Sequence, residues 1–349
     1  NVTIPLADDA TLVGGAIQVQ AKVTAGNTFA NVGTPVTILG AYINTNTTLS
    51  VPAANYLALA DFGDGLSIYH TAVVTDAAGN DKTFNTSSTT VLIDTTRPTF
   101  ASATSTMASG YYMIGDTVTF SATFDDSVAR SDVGTAWTVY LNSGNSITGL
   151  IETGNFLTLD FTEYIVEAGD ASPDLAIDSL VISQGTVRDL AGNDMNTFTI
   201  STGNNISDSK DIFIDGIAPA DFALDSITTV VDSVYPGYYN SVNSGVTIPV
   251  GLANDTTLTG GSVQIMGIIG SDSTNIGSAY TILSTDLDDS VTMEIDAADV
   301  ESATGFADVA DDERIYFSGT VTDKAGNATD GGPSDAWLII DQIPPSDEG

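Results

Sequence analysis

Short stretches of alternating apolar and polar residues recur along the whole chain. Ala16-Ile17-Gln18-Val19-Gln20-Ala21-Lys22-Val23, Thr117-Val118-Thr119-Phe120-Ser121-Ala122-Thr123-Phe124 and Ile315-Tyr316-Phe317-Ser318-Gly319-Thr320-Val321 are the clearest. A period of two puts successive side chains on opposite faces, so each stretch predicts a half-buried antiparallel strand. Gly, Asn, Asp, Ser and Thr fill the gaps, as tight turns require. Only a turn near residues 296–300 reads as a capped helix.

The strands belong to a pattern that comes three times. Val74-Thr75-Asp76-Ala77-Ala78-Gly79-Asn80 leads to Ile93-Asp94 and Arg97-Pro98. Val187-Arg188-Asp189-Leu190-Ala191-Gly192-Asn193 leads to Ile214-Asp215 and Pro219, and Val321-Thr322-Asp323-Lys324-Ala325-Gly326-Asn327 to Ile340-Asp341 and Pro344. The closing aspartates stand 121 and then 126 residues apart, the size of an autonomous domain rather than of a solenoid repeat. With about seven strands in each repeat, the expected fold is all-β: three tandem immunoglobulin-like Greek-key β-sandwich domains. Their expected bounds are 1–97, 98–217 and 218–345, with a tail at 346–349.

The repeats also align at their starts. Gly245-Val246-Thr247-Ile248-Pro249-Val250 mirrors Val2-Thr3-Ile4-Pro5-Leu6, and the Gly260-Gly261 pair mirrors Gly14-Gly15. About 28 residues, 218 to 245, lead up to this point in the third repeat and include Tyr238-Tyr239; the second has Tyr111-Tyr112 there. The first repeat has no counterpart, so its opening strand is missing. Either another subunit donates that strand or residues 1–349 are a window onto a longer array, and the near-equal spacing of whole repeats favours the window.

Composition narrows the function. Hydrophobic residues make up 42% of the chain, enough for globular cores, and no apolar run approaches the roughly 20 residues of a membrane span. Residues 1–6 lack the basic and apolar regions of a signal peptide, as in a mature chain or an excerpt. Cysteine is absent, which excludes disulfides, thiol catalysis and zinc–cysteine sites. Forty-five acidic residues against eight basic ones give a formal net charge of −37. A polyanion is bound by clustered Lys and Arg, and the eight here are scattered, so nucleic acid is excluded as a partner. The same charge repels itself and is relieved by salt or divalent cations. An acidic surface kept for solubility in a saline habitat is the simpler account, but the placement of the acids argues for more.

In such a sandwich two loops face the preceding domain. Asp8 and Asp9, Asp125 and Asp126, and Asn254 and Asp255 fall in the first of them; Asp76, Asp189 and Asp323 fall in the second. The preceding repeat delivers Asp94 or Asp215 to the same end. Oxygen-bearing side chains thus converge at each junction, and calcium takes six to eight oxygens at about 2.3–2.6 Å. The Asp of each Asp-x-Ala-Gly-Asn stretch has a plainer alternative role as cap of its turn, with Gly79, Gly192 and Gly326 supplying positive φ and Asn80, Asn193 and Asn327 tolerating it. A further acidic loop, Asp61 and Asp64, Glu167 and Asp170, or Asp308, Asp311 and Asp312, lies at the other pole and either adds ligands to the next junction or is solvated surface.

With these motifs the repeats resemble the tandem immunoglobulin-like repeats of bacterial surface adhesins, which often carry Asp-x-Ala-Gly-Asn before the last strand. There is also a cadherin-like pattern. Asp311-Asp312-Glu313-Arg314, Thr322-Asp323, Ile340-Asp341 and Pro344 follow the order of acidic elements that bind calcium between cadherin repeats, although the cadherin Asp-x-Asn-Asp-Asn linker is absent. The resemblance implies calcium at the junctions, with Asp311 among the ligands.

Catalysis has little support. His70, the single histidine, lies in a predicted strand with no repeated partner, and no nucleophile motif or phosphate loop is present. Trp137 and Trp337 are expected in the core, and the sequons at Asn1, Asn46, Asn85, Asn205, Asn254 and Asn327 leave glycosylation open. The expected protein is non-enzymatic, extracellular and on the cell surface. It is read as an adhesin stalk whose partners are neighbouring copies of the same domain. The alternatives are a subunit of a surface layer or filament, and a carbohydrate-binding module for cell-surface glycans using Tyr111, Tyr112, Tyr238 and Tyr239.

Overall fold

The computed structural model describes residues 1–161, 163–224, 226–230, 236–308, 312–331 and 337–343. The chain divides into two compact units: Asn1–Pro98 with Arg188–Met195, and Thr99–Val187 with Asn196–Gly349.

In the first unit Val2–Pro5 pairs antiparallel with Asn46–Leu49. Facing this pair is a six-stranded sheet whose central strands are Ala16–Val23 and Ser67–Thr75, joined from Ala16↔Thr75 to Val23↔Ile68. The alternation in 16–23 becomes strict alternation of burial, with Ile17, Val19, Ala21 and Val23 inside. They meet Ile4, Leu6, Ile38, Leu49, Ile68, Val74 and Ile93 in one core. The last strand of this repeat, Val91–Leu92, pairs with Ser67–Ile68.

In the second unit the third repeat is a complete sandwich. Thr228–Val230, Gly245–Gly251 and Ser290–Asp296 form one sheet. The other runs Tyr238–Tyr239, Trp337–Ile340, Arg314–Thr322, Ser262–Ile269, Asp272–Thr281, with Ala328–Gly331 also on Arg314–Thr322. The chain changes sheets after Gly245–Gly251, returns after Asp272–Thr281 and leaves again after Ser290–Asp296, the crossings of a Greek key. The second repeat repeats the scheme, with Phe100–Ser105, Phe120–Arg130 and Asn155–Asp160 on one side and Ser146–Leu150, Ala136–Leu141 and Ile177–Gln184 on the other. Trp137 lies at its centre, 1% exposed and edge-on to Phe161 at 4.7 Å.

Three local expectations are corrected. The strand expected over 117–124 breaks at Thr119, because Thr117–Val118 pairs with Tyr164–Ile165 while Phe120–Arg130 joins another sheet. Trp337 is only half-buried, with the Arg314 guanidinium 3.7 Å over its ring, a cation–π contact. A second short helix, Ala53–Leu57, joins the expected one at Ala297–Glu301. Asp296 caps the latter through Asp299 N–H at 2.9 Å, whereas Pro52 before the former has no capping side chain, so the usual start signal is missing.

The paired glycines are explained by two different needs. Gly14 and Gly260 take φ of +89°. Gly15 and Gly261 lie against the strand before the acidic turn, where a Cβ would overlap the main-chain oxygens of Thr75 and Thr322. Gly260→Ala is expected to cost about 1–2 kcal/mol, the left-handed penalty. Gly261→Ala forces two paired strands apart and is expected to cost about 3 kcal/mol. Urea unfolding of the two variants, with the larger loss at position 261, checks this.

Candidate functional site

The Asp-x-Ala-Gly-Asn turn has one geometry in all three repeats. Asp76 Oδ1 accepts the N–H groups of Ala78 and Asn80, each at 2.9 Å, and its Oδ2 accepts the Asn80 side-chain amide at 2.9 Å. Asp189 Oδ1 accepts from Gly192 (2.7 Å) and Asn193 (2.9 Å), and Oδ2 from Asn193 Nδ2 at 2.8 Å. Asp323 does the same with Gly326 (2.7 Å), Asn327 (2.9 Å) and Asn327 Nδ2 (2.8 Å). The aspartate therefore caps the turn. The Asn80 side chain, then its backbone, holds the Asp76 carboxyl below its ordinary range. At Asp189 burial pushes upward, and the bonds from Asn193, Gly192 and Ala191 outweigh it and leave the carboxyl below its ordinary range.

The asparagine does more than the sequence implies. Gly79, Gly192 and Gly326 take positive φ (+94°, +100°, +111°), while none of the three asparagines does, so tolerance of that conformation is not why Asn is there. Its amide is the reason. Asn193 Nδ2 also donates to the main-chain oxygen of Asp94 at 3.1 Å, and the carboxylates of Asp94 and Asp189 have oxygens within 4.8 Å of each other. Arg97 Nη1 donates to Asp194 O at 2.7 Å in the same unit. Asn327 is 5% exposed. Its Nδ2 donates to the main-chain oxygen of Asp215 at 2.8 Å, and its Oδ1 accepts Ile114 N–H at 3.0 Å. Asn80 is exposed. A third copy of an amide side chain, beside a glycine that already supplies the backbone freedom, was the signal in the sequence.

The junction of the second and third repeats, all within the second unit, gathers the charges. Asp215 and Asp323 are buried, at 6% and 3% exposure. Burial pushes the Asp215 carboxyl above its ordinary range; Ile217 N–H opposes this, and the Asp323 and Asp255 carboxylates push it further. Around them Lys324 Nζ donates to Tyr111 Oη at 2.9 Å and lies 4.4 Å over its ring, and Thr329 Oγ1 donates to Pro219 O at 2.6 Å. An ionised carboxylate offers about four acceptor sites. Three are taken at Asp323 by the turn, two at Asp255 by Thr257 N–H and Oγ1–H (2.9 and 2.8 Å), and one at Asp215 by Ile217 N–H (3.2 Å). Asp215 and Asp255 thus keep acceptor sites that the turn has not taken. Asp323 is mainly a cap.

Asp9 caps residues 10–12 through Thr11 N–H (2.9 Å) and Oγ1–H (2.7 Å). Thr11 lowers its carboxyl and the Asp76 charge opposes this. Asp8 and Asn254 are exposed in the equivalent loops. Asp125 and Asp126 are not in a loop. They sit inside strand Phe120–Arg130, where its register against Asn155–Asp160 shifts between Thr123 and Val128, a bulge that aims the pair outward. Asp125 accepts Thr99 N–H and Oγ1–H, each at 2.7 Å, and Asp126 accepts Ser127 N–H at 2.6 Å. Asp311 and Pro344 lie outside the described residues. In the first two repeats the acidic loop expected at the other pole lies beside the chain leaving the repeat: Asp64 accepts from Thr95 and Thr96, the main-chain oxygen of Asp170 accepts Gly216 N–H at 2.7 Å, and Gly169 N–H donates to Gly216 O at 2.8 Å.

The tyrosine doublets are strand residues. Tyr238–Tyr239 runs parallel to Ile339–Ile340 and Tyr111–Tyr112 to Phe213–Ile214; Tyr239 is fully buried and Tyr111 stacks on Phe213 at 4.6 Å. His70 is 7% exposed and bonds Tyr56 Oη at 3.1 Å. Burial lowers its pKa. The folded form therefore resists protonation, and stability falls as pH drops below about 6.5. Its single imidazole signal in NMR should titrate below 6.5, and His70→Phe should remove this part of the acid sensitivity.

No family model matches the sequence, and no curated protein does. Among solved structures, 63 chains match. One is of a 1.5-MDa bacterial ice-binding adhesin, at 14% identity and a TM-score of 0.42, covering 97% of this chain and 94% of that one. Another is the chicken CNTN1 FN1–FN3 domains, at 11% identity and a TM-score of 0.24, covering 94% and 90%. Both TM-scores lie under 0.5, so the fold stands on the sheet topology above.

Proposed function

We propose that the protein is a non-enzymatic, extracellular structural or adhesive protein, part of a cell-surface stalk whose tandem sandwiches are stiffened by calcium at the repeat junctions. The observation that carries this is the burial of Asp215 and Asp323, 6% and 3% exposed, at a joint built from Asn327, where burial first and then the Asp323 and Asp255 charges push the Asp215 carboxyl above its ordinary range. Like charges crowded in a half-dry site are stabilised by a divalent cation. Asp215 and Asp255 are its proposed ligands there, and Asp94 with Asp189 the corresponding pair in the first unit. A net charge of −37 and the absence of a repeated nucleophile–base pair support a scaffold rather than a catalyst. Melting temperature and the maximum dimension from small-angle scattering, each with calcium and with chelator, test the reading; no change in either overturns it.

A further inference from the structure

Within the second unit, the second and third repeats bound a cleft whose walls differ in chemistry. One wall is the three-stranded sheet Gly110–Met113, Ile212–Asp215 and Ala171–Ser172 of the second repeat. Tyr111 and Phe213 stand in register on it, their rings stacked at 4.6 Å. Pro173 and Ile217, both exposed, extend the apolar surface. The other wall is the loop at residues 256–259 of the third repeat, together with Lys324. The cleft holds about 500 Å³, the size of a small-molecule site, and such sites favour domain boundaries. Of the four doublet tyrosines, Tyr111 alone lines it.

Several polar groups here lack a protein partner. Lys324 Nζ donates to Tyr111 Oη at 2.9 Å, and an ammonium has further donors to give. Among the described residues no carboxylate pairs with it, although the chain carries 45 acidic residues against eight basic ones. The hydroxyls of Thr257 and Ser172 are held by Asp255 and Asn142, at 2.8 and 3.0 Å. Those of Thr256 and Thr259 bond nothing among the described residues.

These groups specify one kind of ligand. The ammonium calls for a carboxylate, the two threonines for hydroxyls, and the apolar wall for a C–H face. A neutral saccharide leaves the cation without a counter-charge. An aromatic acid covers both threonine hydroxyls without bonding them, which is unfavourable.

We propose that the cleft binds a uronic acid residue of an acidic saccharide, its carboxylate on Lys324, its hydroxyls on Thr256 and Thr259, and its ring against Phe213, Pro173 and Ile217. This goes beyond the calcium reading and does not rest on it, since none of these side chains is a proposed calcium ligand.

The test uses the full chain in excess chelator, so its outcome is separate from that of the calcium reading, and in about 0.15 M salt, which screens the net charge. The probes are methyl galacturonoside and methyl glucuronoside. The controls are the methyl galactoside and glucoside, with a hydroxymethyl group in place of the carboxylate, and acetate, with the carboxylate alone. At least one uronoside should shift the amide NMR signals of residues 171, 172, 256–259 and 324, and bind at least about tenfold more tightly than its neutral counterpart or acetate. Lys324→Met keeps the aliphatic stem and should lose this preference, whereas Lys324→Arg should retain it. Neutral sugar or acetate binding as tightly as both acids, binding that survives Lys324→Met unchanged, or no shift at these residues with either uronoside overturns the proposal.

Discussion

Saturating calcium is expected to raise the melting temperature of the chelator-treated protein by about 10 °C at the junction of the second and third repeats. The figure follows from mass action: calcium at 100 to 1,000 times its dissociation constant stabilises the folded form by about 2.7–4.1 kcal/mol per site. A domain of this size gains roughly 3–4 °C per kcal/mol. Asp215 gives the prediction its sign. Burial and the neighbouring Asp323 and Asp255 charges raise its pKa, so its contribution favours the fold below the unfolded value and is lost as pH rises through the folded one. At neutral pH the ionised group therefore destabilises the calcium-free protein. Asp215→Asn keeps an oxygen for Ile217 N–H while removing the charge. It should melt higher than the unsubstituted protein in chelator and gain little from calcium. If it melts lower in chelator, or gains calcium stabilisation in full, Asp215 is not the ligand.

Truncating Asn327 should be the most damaging change to the joint. In Asn327→Ala the main-chain oxygen of Asp215, the N–H of Ile114 and one oxygen of the buried Asp323 carboxylate all lose a partner. A buried group left unsatisfied costs about 1–3 kcal/mol, more when charged, so a loss of about 4 kcal/mol is expected. Asn80→Ala removes the same amide from an exposed turn and should cost less than about 1 kcal/mol, because water replaces the lost partner. Chemical denaturation of both variants measures the contrast, and equal losses would refute the bridging role.

The sequence by itself determined the strands, the repeat and the fold class, because these rest on local physics. Period-two burial in 16–23 follows from alternation alone, and the Asp-x-Ala-Gly-Asn turn closes within five residues. The bulge at Asp125-Asp126 was not legible, since it arises from register against Asn155–Asp160, a strand about thirty residues away. The Asn327 bridge was also hidden, because its partners at Ile114 and Asp215 are more than a hundred residues distant and are met only when two repeats pack. Tertiary structure likewise decided which carboxylates keep acceptor capacity. At Asp323 the turn's own amides take most of it, while at Asp215, in a strand end with one N–H nearby, most remains.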